Sequence, residues 1–147
     1  MEFEINELIQ SIMKISLGRS IVLVDDYDEA FAFYEKNFYC EKLYDETVSD
    51  SLRFLHIKFN GDHHNGIWFL EAKTEVQRSL VGKQTGGQPL LVIYTDDCYT
   101  LYEHVRLNQV TILEPIETTK DSRYFHCADL YGNRITVVEL IQHDSLS

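Results

Sequence analysis

The stretch Ser20-Ile-Val-Leu-Val-Asp-Asp-Tyr-Asp-Glu-Ala-Phe-Ala-Phe-Tyr34 decides how this chain is read. Its first half is apolar, β-branched and bounded, which is the pattern of a buried strand. Asp25-Asp26 then ends the run. Asp26 is placed to cap a helix, Glu29 follows three residues on as in a capping box, and acids suit the positive end of a helix dipole. Tyr27, Ala30, Phe31, Tyr34 and Phe38 share one helical face, so the spacing predicts a helix running through Phe38.

Three strand-like runs follow, Cys40–Thr47, Leu52–Asn60 and Gly66–Ala72. Ser49-Asp50-Ser51 and Asn60-Gly61-Asp62 are the turn signals between them. The same order then restarts. Pro89–Thr95 reads as a strand, and Asp96-Asp97 opens a helix with Cys98, Leu101, Tyr102 and Val105 on its apolar stripe. Val110–Leu113, Arg123–Ala128 and Arg134–Ile141 are three more strands, the last two joined by a tight turn at Asp129-Leu-Tyr-Gly-Asn133. The two Asp-Asp pairs lie 71 positions apart. The chain is therefore a doubled βαβββ unit of the α+β class. Residues 19–72 are the first repeat, 73–88 a polar linker and 89–141 the second, within one domain spanning 19–147. One unit cannot bury its sheet alone. Two together make a curved mixed sheet, a half-barrel with helices outside and a concave face that suits a small molecule. Residues 1–18 form an extension in which Ile5, Leu8, Ile9, Ile12 and Met13 recur at helical spacing.

Composition narrows the function. The 147 residues are 44% hydrophobic and 25% charged, enough for one well-packed domain. Lys and Arg number 13 against 24 Asp and Glu, a formal charge of -11. This argues against nucleic-acid binding and against a polybasic membrane patch. The apolar runs, Ile21–Val24 among them, are far too short to span a bilayer. Met1-Glu2-Phe3-Glu4 is acidic where a secretory signal would be basic. Cys40, Cys98 and Cys127 are odd in number and widely spaced, so no disulfide framework or zinc knuckle is expected. The expected compartment is the cytoplasm.

Two motifs carry a family resemblance. Asp26-Tyr-Asp-Glu-Ala-Phe-Ala-Phe-Tyr34 resembles the helix-opening signature of the vicinal oxygen chelate superfamily, which includes glyoxalase I, bleomycin- and fosfomycin-resistance proteins and extradiol dioxygenases. Asp129-Leu-Tyr-Gly-Asn133, followed by a strand, is similar to its terminal turn. With the doubled βαβββ order, the resemblance covers roughly Arg19 to Ile141. Metal-dependent members hold a divalent ion at four positions, one on each of four strands. The resemblance maps those positions onto Arg19, Trp68, Leu90 and Thr136. Arginine, tryptophan, leucine and threonine make no site for such an ion, and Arg19 would repel it. No metal and no cofactor is therefore expected, nor is glyoxalase or dioxygenase activity. His56, His126 and Glu139 are the alternative ligand set, although Glu139 should face away from Thr136 by strand alternation.

Alternation also names the lining of the concave face. Arg19, Ile21 and Leu23 come from the first strand, Trp68 and Leu70 from the fourth. Leu90, Val92 and Tyr94 come from the fifth, Thr136 and Val138 from the last. Such a cup suits a flat or amphipathic organic ligand, with Trp68 as stacking platform and Arg19 as counter-charge. Tyr124, Arg123 and His126 can add polar contacts if they face it. The leading function is binding of a small organic molecule without metal. The alternatives are a metal-dependent lyase or dioxygenase with ligands elsewhere, and a non-catalytic scaffold. A homodimer is expected, because a single chain exposes sheet edges and a wide cup mouth.

Overall fold

A computed structural model of the chain describes residues 1–143. The element order is α1 (Glu2–Ile12), β1 (Arg19–Val24), α2 (Tyr27–Phe38), β2 (Glu41–Ser49), β3 (Leu52–Lys58) and β4 (Gly66–Glu71). Then come α3 (Glu75–Leu80), β5 (Pro89–Tyr94), α4 (Cys98–Leu107), β6 (Ile112–Thr118), β7 (Ser122–Ala128) and β8 (Arg134–Leu140). The strands form two four-stranded sheets, ordered β1-β4-β3-β2 and β5-β8-β7-β6. In each, the first strand pairs in parallel with the last and the other neighbours are antiparallel. This is the doubled βαβββ architecture expected from the sequence.

The acidic helix starts act as caps. The Asp26 carboxylate accepts from the Glu29 amide at 2.8 Å, and Asp97 accepts from the Thr100 amide at 3.1 Å. Helix α2 ends on Tyr39 at φ 58, a left-handed stop. The helices and one face of each sheet enclose the core. Val22, Val24, Leu55, Ile57, Ile67 and Phe69 meet Ala30, Tyr34 and Phe38 of α2. Phe125, Cys127, Ile135 and Val137 meet Cys98 and Val105 of α4, and the two sets form one continuous cluster. Burial pushes the Cys40 and Cys127 thiols up to about 12, and Cys98 to about 11. All three are buried and free, packing groups rather than nucleophiles.

Two stretches depart from the sequence reading. The segment 73–88 is not wholly linker, since α3 forms within it. Thr74 accepts from the Gln77 amide while the Gln77 side chain accepts from the Thr74 amide, a complete capping box around a short helix. Strand β6 continues to Thr118, past the Leu113 limit expected from the sequence. Pro115 broke the apolar pattern there. On the edge strand of its sheet, proline is tolerated, and the β6–β7 register shifts around it between Glu114 and Glu117.

Candidate functional site

With Val22 and Val24 turned to the core, the opposite side of β1 presents Arg19, Ile21 and Leu23. Register carries that face across the sheet. Ile21 is opposite Trp68, Leu23 opposite Leu70, Trp68 opposite His56, and His56 opposite Tyr44. The helix-free face of the first sheet is thus aromatic. Trp68 has His56 at 5.2 Å and Phe54 at 6.1 Å between ring centroids, and Tyr44 stands edge-on to His56 at 5.7 Å. The second sheet repeats the plan with polar groups. Val92 is opposite Thr136, Tyr94 opposite Val138, Thr136 opposite His126, and His126 opposite Glu114.

The expected lining residues other than Leu90 therefore lie on helix-free faces, divided between two half-cups. Arg19, Ile21, Leu23, Trp68 and Leu70 belong to the first, and Val92, Tyr94, Thr136 and Val138 to the second, whereas Leu90 falls at a register shift in β5 and packs against the core instead. Ile21, Val92 and Tyr94 are 46%, 57% and 68% exposed, so these apolar faces are not filled by the chain itself. Leu23 is 7% exposed. The loop after α3 crosses it, and the Gln84 side chain accepts from the Leu23 amide at 2.7 Å and donates to the Ile21 carbonyl at 3.1 Å.

Tyr124 and His126 do face the second half-cup, whereas Arg123 faces the helices. It pairs with Glu139 at 2.8 Å and lies over the Tyr99 ring. Glu139 also accepts from the Cys98 amide at the start of α4. The sequence reading left out Phe54, Tyr44, Glu114 and Arg134. Their facing depends on hairpin registers, and two of the β2–β3 pairings and two of the β6–β7 pairings carry register shifts. The usable signal was His56, which alternation places beside Trp68 once β3 and β4 are paired.

Electrostatics separates the half-cups. Arg19 donates through Nε to His56 Nδ1 at 2.9 Å and through Nη1 to the Gly18 carbonyl at 2.8 Å and the His64 carbonyl. Arg53, Arg106, Arg123 and Arg134 pair with carboxylates, but Arg19, like Arg78 outside the cup, meets none among the described residues. In the second half-cup Glu114 binds Arg134 at 3.1 Å and His126 Nε2 at 3.3 Å. His126 Nδ1 lies 2.9 Å from Thr136 Oγ1. Desolvation, then the nearby guanidinium, holds both imidazoles below the usual histidine range, Arg19 acting on His56 and Arg134 on His126; Glu114 offsets part of this for His126.

These donors do not fit a divalent metal. The Arg19 guanidinium occupies the position on β1, and Trp68, Leu90 and Thr136 hold the other three. His56, His126 and Glu139 are not brought together either. The histidines stand on different sheets, each with Nδ1 engaged, and Glu139 is on the helix side. Among the described residues, no three of His, Cys, Asp and Glu converge.

A separate cavity of about 620 Å³ lies between the modules. Phe38, Tyr39, Phe59 and Leu101 give it apolar walls, Asp62, Asp96 and Asp97 are acidic, and Leu17 also lines it. Of the expected lining residues only Val92 and Tyr94 reach it. No helix among the described residues is long and apolar enough to cross a membrane.

Comparisons with known proteins agree with this fold. An uncharacterised protein of Shewanella frigidimarina (strain NCIMB 400) is 26% identical over 129 residues, covering 87% of this chain and 96% of its own. The crystal structure of UcmS2 superposes with a TM-score of 0.74 at 22% identity, covering 86% of this chain and 98% of that one. TnmS3, an antibiotic binding protein from Streptomyces sp. CB03234, gives 0.69 at 20% identity, with 88% and 99% covered. A glyoxalase/bleomycin resistance protein/dioxygenase superfamily member from Sphaerobacter thermophilus DSM 20745 gives 0.67 at 19%, with 87% and 99% covered. The sequence pattern of that superfamily matches residues 15–137, and the chain belongs to the glyoxalase/bleomycin resistance protein/dioxygenase superfamily.

Proposed function

We propose that this protein binds a planar, amphipathic organic molecule on the helix-free face of its sheets, with no metal taking part. The observation that carries this reading is Trp68. It stands in an aromatic group with Phe54 and His56 beside Arg19, a cation that meets no carboxylate among the described residues. A flat ring stacks on such a platform and an electron-rich substituent answers the charge. The likeness to an antibiotic binding protein supports the same class of activity, sequestration rather than turnover. Sequestration needs no catalytic base, and the superfamily positions that would hold a metal offer only Arg19, Trp68, Leu90 and Thr136.

Leu23, Leu70, Val92, Tyr94 and Val138 complete the apolar lining in this proposal. The half-cups face each other across a homodimer, which would cover the exposed Ile21, Val92 and Tyr94. Trp68 is the chain's single tryptophan, so its fluorescence reports the site. Planar aromatic probes such as 1-anilinonaphthalene-8-sulfonate should quench it, and Trp68→Ala should weaken their binding by ~1–3 kcal/mol with the fold retained. If Trp68 serves only as packing, no probe will quench it and the same substitution will instead cost ~3–5 kcal/mol of stability.

A further inference from the structure

The two modules supply an internal comparison at one position. His56 and His126 occupy equivalent sites, each in the third strand of its unit and opposite the equivalent residue of the fourth, Trp68 or Thr136. In the second module the imidazole has a polar neighbour at each nitrogen, Nδ1 lying 2.9 Å from Thr136 Oγ1 and Nε2 3.3 Å from the Glu114 carboxylate. In the first module only Nδ1 has a partner. That partner is the Arg19 Nε–H, which can only donate. Nδ1 must therefore accept, and a neutral His56 carries its proton on Nε2.

His56 Nε2 is buried and has no hydrogen-bond partner among the described residues. The residue equivalent to Glu114 is Tyr44, whose ring edge meets His56 and whose hydroxyl turns to Glu46. The first module has thus replaced the internal acceptor with a half-exposed ring that can swing aside. A buried donor with no acceptor is rare in native proteins and calls for an explanation, of which an acceptor brought by a bound molecule is one. Beside this donor stand Arg19, without a counter-carboxylate among the described residues, and Trp68, with its ring system close to that of His56.

We propose that His56 sets the ligand specificity of this cup. Its Nε2–H, fixed by Arg19, donates to an oxygen of an aromatic carboxylate whose ring lies against Trp68 once Tyr44 has turned outward. The proposal rests on the cup being the binding site. Arg19 has two tasks in it, locking the imidazole tautomer and supplying the positive charge that the carboxylate meets.

Two measurements at pH 7.5 test it. Long-range proton–nitrogen NMR of the free protein should show His56 as the Nε2–H tautomer, and Arg19→Met should remove that preference. In titrations with 2-naphthoate and with naphthalene, the wild-type protein should prefer the carboxylate by about tenfold. His56→Phe should shrink that preference to less than about threefold, and His56→Gln, which keeps a side-chain N–H donor, should restore part of it. An Nδ1–H tautomer, or an undiminished carboxylate preference in His56→Phe, overturns the role of His56 while leaving the cup intact. Failure of both compounds to bind overturns the cup reading and the proposal with it.

Discussion

The Tyr34 hydroxyl donates to Asp129 Oδ2 at 2.8 Å, joining the first helix of one module to the β7–β8 turn of the other. Both residues are buried. Asp129 also accepts from the amides of Tyr131 and Asn133 and from the Asn133 side chain, each at 2.9 Å. Burial first, then the Asp129 charge, raises the Tyr34 pKa well above its ordinary value, so the phenol stays a donor at every physiological pH. Tyr34→Phe removes one hydrogen bond to a charged acceptor and should cost ~1.5–3 kcal/mol in urea unfolding. Asp129→Ala strands four donors and should cost more, ~3–5 kcal/mol. A double mutant no worse than Asp129→Ala alone is the expected outcome, and full additivity would show that the two residues act separately.

Gln84 does for β1 what a neighbouring strand would do. It binds the Leu23 amide and the Ile21 carbonyl on the sheet's open edge. The loop holding it approaches the second module at Gly82, which adopts φ +77 and where an added Cβ would collide with the Tyr131 carbonyl. Gln84→Ala should cost ~1 kcal/mol and speed hydrogen exchange at the Leu23 amide while leaving Val24 unchanged. Gly82→Ala should be worse, because strain and collision act together. Equal exchange at Leu23 in wild-type and Gln84→Ala protein would show that Gln84 does not seal this edge.

Both cup histidines make stability depend on pH in the same direction. Their folded-state pKa values lie below the unfolded value of about 6.5. The unfolded chain therefore binds protons first, and stability is fully present above about pH 6.5. It is lost as pH falls from there through the folded pKa values. Arg19 and Tyr44 face His56, while Arg134, Glu114 and Tyr124 face His126. Melting temperatures between pH 5 and 8 should fall on the acid side, and His56→Gln should flatten part of that slope. A Tm that rises as pH drops from 7 to 5.5 would contradict the depressed values.

The doubled unit was legible because its signals are local. A capping aspartate after an apolar strand, and a turn with glycine in left-handed geometry at Gly132 (φ +91), need no tertiary information. The Trp68 face was legible for the same reason, since alternation along one strand fixes it. What stayed hidden were relations across strands. The Arg19–His56 bond, the missing partner of His56 Nε2 and the Glu114–Arg134 pair all depend on register, and bulges in β2 and β6 put that beyond a count along the chain. Helix α3 was passed over because six residues carry too little periodicity, although Thr74 and Gln77 marked it.

Helix α1 makes the last prediction. Ile5, Leu8, Ile9 and Ile12 line one side of it at helical spacing, yet none of its residues is buried. An isolated helix of this length is marginal in water, so a stable α1 requires a surface to pack on. Burying four such side chains is worth roughly 1.5 kcal/mol or more each, ample to support an interface that also covers Ile21, Val92 and Tyr94. The expected particle is a homodimer of about twice 17.2 kDa by light scattering at micromolar concentration. Ile5→Asp with Ile9→Asp should weaken dimerisation at least about tenfold and lower the helical circular-dichroism signal, while the βαβββ core still unfolds cooperatively. A wild-type monomer with α1 fully helical would defeat the prediction, because the helix would then persist with its apolar side in water.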